Sequence, residues 1–119
     1  MAYVDGFLLA VPKRKLATYR KMAKVASRIW REHGALDFRE CAGDDLAVPH
    51  GMPFPKLLKL KRGETAVFSW IAFKSRAHRD RVNKKVMNDP RIREMCGDPA
   101  AMPFDVKRMG YGGFRVIVD

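Results

Sequence analysis

The chain of 119 residues is long enough for one domain with a hydrophobic core, and its 47% hydrophobic residues exclude an intrinsically disordered protein. Its formal net charge of +11 favours contact with polyanions, although a basic surface also serves solubility alone. No apolar run approaches the roughly 20 residues of a membrane-spanning helix, so we expect no membrane partner.

The N-terminus and the cysteines predict a cytoplasmic protein. Asp5 interrupts the first apolar stretch and no basic segment precedes it, which is not the layout of a secretory signal. Cys41 and Cys96 lie far apart without a zinc-like spacing, and we expect both thiols to be reduced. We predict no metal site and no cofactor, because no recognised ligand spacing occurs in the loose group Glu40, Cys41, Asp44, Asp45 and His50.

The first half of the chain predicts strand, helix, strand. Residues 2–11 have the composition of a strand. Residues 13–34 predict a long amphipathic helix, which ends at His33 and at Gly34, a residue suited to a left-handed C-cap. Residues 35–43 predict a second strand. The apolar positions at helical spacing are Leu16, Tyr19, Ala23, Ala26 and Trp30.

The second half predicts the same succession. Residues 44–63 hold three prolines and two glycines and predict mostly loop, and residues 65–74 form the clearest strand. Ser75 is the expected N-cap of a helix that runs to about Asn88. Asp89 and Pro90 then predict a short helix ending at Gly97. The closing stretch predicts a fourth strand with a bulge or bend at Gly112-Gly113.

This order predicts an α+β protein with a ferredoxin-like βαββαβ fold, a four-stranded antiparallel sheet and one domain over residues 1–119. Both faces of the first and third strands are apolar, whereas two helices cover only one face of such a sheet. We therefore expect a second copy to cover the other face, as a homodimer. The interface is predicted to contain either Phe68 and Trp70 or Val67 and Ile71.

Four ordered motifs carry a resemblance to a known family. They are "YVDGF" at 3–7, "VFSWI" at 67–71, "KVMNDPR" at 85–91 and "MPFDVKRMGYGGF" at 102–114. Together they resemble the YbaA-like family of small bacterial proteins, which belongs to the dimeric α+β barrel group. The resemblance implies that two copies pair their sheets into a barrel, and it implies no particular reaction.

The same group includes haem-degrading and quinone-forming monooxygenases. Its haem-degrading members use an Asn on the first strand, a Trp on the third strand and a His on the second helix. The corresponding places here hold Asp5, Trp70 and His78, with a shorter Trp-to-His spacing and arginines around His78. We favour a packing role for Trp70 and a surface position for His78.

Charged groups near the strands suggest a second set of candidates. Asp5 needs a partner if it is buried, and Asp105, Lys107 and Arg108 could provide one. A structural ion pair is the favoured interpretation, and a polar group at a pocket is the alternative. Arg79 and Asn83 share a stripe of the second long helix and face either the sheet edge or a cleft. The ligand-binding candidates are Asp5, Trp70, His78, Asn83, Asp105, Arg108 and Tyr111.

The basic residues concentrate on the first helix and at residues 56–62. Arg14, Lys21 and Arg28 repeat every seven residues and form a stripe, but no aromatic residues interleave with them to stack on bases. We therefore favour a solvated helix face and expect no nucleic-acid binding beyond weak electrostatic association. Our functional hypothesis is a homodimer that binds a small organic ligand in a cleft between sheet and helices. The alternatives are a cofactor-independent or haem-linked monooxygenase and a basic nucleic-acid-associated protein.

Overall fold

The computed structural model describes residues 2–119, which form one antiparallel sheet with helices packed on one of its faces. The strands are β1 (Tyr3–Pro12), β2 (Asp37–Ala42), β3 (Glu64–Phe73) and β4 (Gly110–Arg115), and the helices are α1 (Leu16–Glu32), α2 (Phe54–Leu57), α3 (Arg76–Met87) and α4 (Pro90–Cys96). The strands lie in the order β2-β3-β1-β4, and all three neighbouring pairs are antiparallel. The predicted ferredoxin-like fold is confirmed.

The helix ends follow the capping residues that the sequence offers. Ser75 begins α3 by accepting a hydrogen bond from the His78 amide at 3.1 Å. Asp89 begins α4 in the same way, with Pro90 in the first turn. Gly34 follows α1 with a φ of +115°, a backbone conformation that side chains other than glycine rarely adopt. These three residues lie where the sequence predicts helix ends, but α1 begins later than predicted, because Lys13–Lys15 form a 3-10 turn and α1 begins at Leu16.

The hydrophobic core lies between the sheet and the helices. Alternate residues of β1 and β3 face the helices, and Val11 and Phe73 have no exposed surface. One part of this core packs under α3 and α4, and the other packs under the first half of α1. The largest buried apolar side chains outside the sheet are Ile29, Val82, Val86 and Ile92.

The other face of the sheet, called the open face here, is apolar and is uncovered except at one end, where Ala10 and Ala66 are buried. It carries Val4, Leu8, Phe68, Trp70 and Phe114. Phe68 and Phe114 are 48% and 62% exposed. Gly6, Gly110 and Gly112 lie between these side chains, and the missing side chains leave a shallow depression of about 630 Å³. The open face is therefore a concave apolar surface.

The burial pattern is inconsistent with one of the two predicted interface pairs. Val67 and Ile71 are 2% and 4% exposed because they lie under the helices of their own chain. A side chain that its own chain already covers cannot contact a second copy. The prediction that Val67 and Ile71 form a dimer interface is therefore wrong. Phe68 and Trp70 project from the open face, with ring centroids 5.9 Å apart.

The end of the chain differs from its prediction in one respect. β4 pairs with β1 without interruption from Gly110 opposite Leu8 to Arg115 opposite Tyr3. The predicted bulge or bend at Gly112-Gly113 is therefore wrong. Both glycines pair regularly with β1. The side chains packed against them, and not an unusual backbone conformation, explain why these positions are glycine.

The loop between β2 and β3 contains α2, and Gly51 and Gly63 both have a positive φ there. In the described part of the chain no helix is long and apolar enough to cross a membrane.

Candidate functional site

A buried ion pair lies between β1 and α3. The Asp5 carboxylate is 1% exposed and accepts a hydrogen bond from the Arg79 guanidinium at 2.5 Å. The same guanidinium lies 4.9 Å from the centroid of the Tyr3 ring, a cation–π contact. Arg79 also contacts Asp80 on the helix surface. The partner of Asp5 is therefore Arg79, and the expectation that Asp105, Lys107 or Arg108 would supply it is wrong.

Two further polar side chains complete this group, called the Asp5 cluster here: Asp5, Arg79, Asn83, Tyr111 and Tyr3. Burial raises the pKa of Asp5, while Arg79 and a hydrogen bond from Asn83 lower it. Burial and then the Asp5 carboxylate raise the pKa of Tyr111, which Asn83 also reaches. The structure thus brings together Asp5, Asn83 and Tyr111, three of the predicted candidates.

Gly113 makes room for the Asp5 cluster. It pairs with Asp5 across β1 and β4 and therefore faces the helices. A Cβ atom at this position would collide with the Tyr3 hydroxyl and lie 2.9 Å from the Arg79 guanidinium. Gly112, its neighbour, faces the open face beside Phe114. Each glycine of the pair thus admits a different neighbour on a different side of the sheet.

A separate cavity of about 130 Å³, called the helix-side pocket here, lies between the sheet and α1. The segment after α4 closes its far side through Phe104 and Met109. Most of its wall is aromatic or contains sulfur. The lining side chains include Tyr19, Met22, Trp30, Phe38, Glu40 and Phe104.

The polar part of the pocket wall is centred on Glu40. The Tyr19 hydroxyl donates to its carboxylate, with oxygen–oxygen distances of 2.8 and 2.9 Å. Burial among the pocket side chains raises the pKa of Glu40, and hydrogen bonds from Tyr19 and Ser69 lower it only in part. As a residue Glu40 remains exposed, so its carboxyl group lies at the rim of the pocket. Burial followed by the Glu40 charge raises the pKa of Tyr19.

One wall residue has an unused donor. The Trp30 indole nitrogen is buried and makes no hydrogen bond to any of residues 2–119. Its ring lies 6.0 Å from that of Phe38, inclined by 49°. Buried N–H groups normally have a partner, so an acceptor is missing beside this wall.

The remaining predicted candidates lie elsewhere. Trp70 projects from the open face, on the opposite side of the sheet from Asp5. His78 accepts a hydrogen bond from the Lys74 amide at 2.9 Å and packs edge-on against Phe73, and burial followed by the Arg81 charge lowers its pKa. His78 therefore fixes the turn into α3.

The last two candidates stabilise the turn before β4. Arg108 donates two hydrogen bonds to the Glu64 carboxylate, at 2.7 and 2.9 Å, and also reaches the Lys59 carbonyl. Asp105 is exposed and accepts from the Lys107 amide at 3.0 Å, which caps a short 3-10 turn. These contacts do not place either side chain in the Asp5 cluster.

The sequence alone does not predict that the residues of the helix-side pocket form a site. Tyr19 and Trp30 fitted the apolar stripe of α1, and Glu40 belonged to a loose acidic group. One signal was present: alternation along β2 places Glu40 on the same covered face as Phe38. A carboxylate on a covered face indicates either a hydrogen-bond or ion-pair partner or a functional site.

No group of three or more His, Cys, Asp or Glu side chains within residues 2–119 is arranged to hold a metal ion. The two cysteines are not paired with each other: Cys41 is exposed, and Cys96 is half-buried at the pocket wall. Burial raises the pKa of Cys96, which disfavours the reactive thiolate.

Comparison with known proteins identifies the family. The chain is 45% identical over 119 residues to the uncharacterised protein YbaA of Escherichia coli K12, covering 100% of this chain and 99% of that protein. The Shigella flexneri protein of the same name gives the same values. An uncharacterised NIPSNAP domain protein from Burkholderia xenovorans has a similar fold, with a TM-score of 0.60 at 14% identity over 96% of this chain and 93% of that one. Residues 2–106 match the family described as "Protein of unknown function (DUF1428)", and the chain is a member of that family.

Proposed function

We propose that the protein is a homodimer that binds a small organic ligand in the helix-side pocket of each subunit. The observation that carries this proposal is the combination of an apolar cavity of about 130 Å³ with two polar groups at its wall, the Glu40 carboxylate and the unpartnered Trp30 N–H. Mostly apolar walls with a few convergent polar groups are typical of small-molecule sites. An apolar cavity of comparable size, about 150 Å³, accepts one benzene molecule in another protein.

The open face supports the homodimer. Phe68, Trp70 and Phe114 form an apolar surface that no segment of residues 2–119 covers. Covering each large side chain contributes about 1.5–3 kcal/mol, enough for a few of them to sustain an interface. The helix-side pocket lies on the other side of the sheet, so pairing through the open face leaves each pocket intact.

A cavity-filling variant tests the ligand proposal. Ala26 lines the pocket, whereas Ala17 is exposed on the same helix, so Ala26→Leu and Ala17→Leu add the same atoms inside and outside the pocket. Thermal unfolding is measured with choline, phenol and benzoate, which represent three ligand charges. At least one compound should stabilise the wild type and Ala17→Leu but not Ala26→Leu. Failure of all three compounds, or equal stabilisation of both variants, would contradict the proposal.

The monooxygenase alternative gains no support from the placement of its candidate residues. Asp5 and Trp70 project from opposite faces of the sheet, and His78 lies in the first turn of α3, where its ring accepts a hydrogen bond from the Lys74 amide. These three residues do not line one cavity. We assign no reaction to the protein.

Nucleic-acid association remains a second candidate because the fold brings separate basic segments together. The Lys13 amide donates to the Gly63 carbonyl at 2.8 Å, and Arg108 reaches the Lys59 carbonyl at 3.2 Å. These contacts gather exposed cations at one end of the sheet, called the basic end here: Lys13, Arg14, Lys15, Lys56, Lys59, Lys61, Arg62 and Lys107. A cluster of this kind contacts phosphates without reading bases.

Salt dependence tests this candidate. We expect weak, sequence-independent binding to a DNA duplex, with log K falling by about 0.9 per log unit of salt for each phosphate contacted. Lys61→Glu with Arg62→Glu should weaken it more than Lys21→Glu with Arg28→Glu, which changes the stripe on α1. Binding retained at physiological salt would make nucleic acid the primary partner, and no binding at low salt would remove this candidate.

A further inference from the structure

The helix-side pocket differs in charge from the rest of the molecule. The chain carries 24 Lys and Arg residues against 13 Asp and Glu, yet no lysine, arginine or histidine lines this cavity. Glu40 supplies the carboxylate of its wall. Although the protein is basic, no cationic side chain lines this pocket. Its carboxylate is therefore available to a cationic ligand.

The partners of Glu40 are neutral. Its hydrogen bonds come from the hydroxyl group of Tyr19, and it forms no ion pair with any of residues 2–119. Other carboxylates that lie on the strands do have a cationic partner: Asp5 pairs with Arg79, and Glu64 pairs with Arg108. Glu40 is therefore a carboxylate at the pocket rim that has no cationic partner within residues 2–119.

The aromatic side chains suit a compact cation better than a flat ring. Tyr19 and Phe104 are inclined by 74° with centroids 5.7 Å apart, and Trp30 and Phe38 are inclined by 49°. A planar ligand stacks best between parallel rings, whereas differently inclined rings surround a rounded group. The negative faces of aromatic rings attract cations, and such walls recognise quaternary ammonium groups in other proteins.

We propose that the ligand of the helix-side pocket is a small organic ammonium ion, whose charge meets the Glu40 carboxylate and the rings of Tyr19, Trp30 and Phe38. A hydroxyl or carbonyl oxygen on the same ligand accepts a hydrogen bond from the Trp30 indole. This inference rests on the proposed ligand-binding function and names its chemical class. The volume of about 130 Å³ limits the ligand to a compact group.

Two ligands of equal shape separate charge from size. Choline carries a trimethylammonium group and a hydroxyl, and its neutral isostere has a tert-butyl group in place of trimethylammonium. Binding is followed by NMR through the indole N–H resonances of the two tryptophans. Trp30 and Trp70 both line the pocket, but the Trp70 ring packs against Phe68 on the open face, so the Trp70 indole signal is an internal control. Choline should shift the Trp30 signal and bind about tenfold more tightly than the isostere.

A charge-removing variant tests the role of Glu40. Glu40→Gln retains an acceptor for the Tyr19 hydroxyl and removes the carboxylate charge. Glu94→Gln makes the same change at an exposed glutamate that forms no hydrogen bond or ion pair within residues 2–119. Choline affinity should fall about tenfold in Glu40→Gln and stay unchanged in Glu94→Gln, while the isostere binds both alike.

The outcomes distinguish this inference from the function on which it rests. If the isostere moves the Trp30 signal as strongly as choline does, or Glu40→Gln binds choline as well as wild type, the pocket binds ligands but the cationic class is wrong. If choline, its isostere, phenol and benzoate all leave the Trp30 signal unchanged, both the inference and the proposed function fail.

Discussion

At the scale of single residues, Gly113 determines what can lie beside the buried Asp5 carboxylate. Its missing side chain leaves the space that the Tyr3 hydroxyl and the Arg79 guanidinium occupy. The ring of Tyr3 and the charge of Asp5 then hold the guanidinium between them. The need for a partner of Asp5 was predictable from its position among apolar residues. The identity of that partner was not, because it lies 74 residues away on a helix whose rotation depends on core packing.

Gly113→Ala is expected to destabilise the protein by about 1–3 kcal/mol, because the new methyl group must displace Tyr3 or Arg79. Gly110→Ala is the matched control in the same strand, since a Cβ atom there has no neighbour closer than 3.7 Å. Urea unfolding of both variants measures the difference. Equal stability of the two variants would show that Gly113 is not needed for packing.

Removing one partner of the buried Asp5–Arg79 pair should lower the free energy of unfolding more than removing both. Asp5→Ala leaves Arg79 largely buried without its carboxylate, which typically costs about 3–5 kcal/mol. The double variant Asp5→Leu with Arg79→Met replaces the pair with apolar groups and should recover most of that loss. Urea unfolding of the three proteins checks this order. A double variant less stable than Asp5→Ala would contradict it.

Glu40→Gln should leave stability at pH 7 unchanged within about half a kcal/mol, or raise it. Burial raises the folded-state pKa of Glu40, so the native state disfavours the charged form that exists at pH 7. The sign follows: any stability linked to Glu40 is present at low pH and is lost as pH rises through its folded-state pKa. Melting curves at pH 7 and pH 4 test this, and a clear loss of stability at pH 7 would indicate an essential structural carboxylate.

At the scale of secondary-structure elements, the end of the chain is held by contacts to the loop before β3. The Arg108 side chain binds Glu64 with two hydrogen bonds, and Asp105 caps the turn that carries Arg108. The sequence favours a structural ion pair for these charges, with a polar group at a pocket as the alternative. Asp105 makes a cap rather than a shielded ion pair, however. Asp105→Asn should therefore lower the melting temperature little, because asparagine accepts the same hydrogen bond.

The Arg108–Glu64 pair should contribute to acid sensitivity. Hydrogen bonds from Arg108 lower the pKa of Glu64 from 4.5 to about 2. Since the folded-state pKa is the lower one, this stability is complete above pH 4.5 and is lost as pH falls toward 2. Arg108→Ala should lower the free energy of unfolding at pH 7 and weaken its pH dependence in that window.

Arg115→Ala is the control, because Arg115 is exposed and forms no ion pair within residues 2–119. Urea unfolding between pH 2 and pH 7 gives the comparison. An unchanged acid profile in Arg108→Ala would contradict the assignment of this pair.

The elements themselves were largely predictable, because their limits depend on local chemistry. Ser75, Asp89 and Gly34 act through hydrogen bonds and backbone conformation within a few residues, and they lie where the sequence predicted them. The pocket was not predictable in the same way. It forms where α1, β2 and the segment containing Phe104 meet, and that meeting depends on the packing of the whole core.

At the scale of the whole molecule, the sheet separates two surfaces with different proposed roles. The open face offers Phe68 and Trp70 to a second copy, and the opposite face holds the pocket under α1. Light scattering at micromolar concentration should therefore give twice the 13.6 kDa chain mass. Phe68→Glu should produce monomers, whereas Val25→Glu, at an exposed apolar position on α1, should not. A wild-type monomer would contradict the homodimer.

The most direct test of the ligand-binding account is the NMR titration of wild-type protein with choline, read at both indole N–H signals. We expect a saturable shift of the Trp30 signal, because Trp30 lines the pocket and its N–H has no partner within residues 2–119, and no shift of the Trp70 signal. A shift of Trp70 alone would place binding on the open face. No shift of either signal, with choline or with the neutral and anionic control compounds, would contradict the claim that the pocket between sheet and helices is a ligand site.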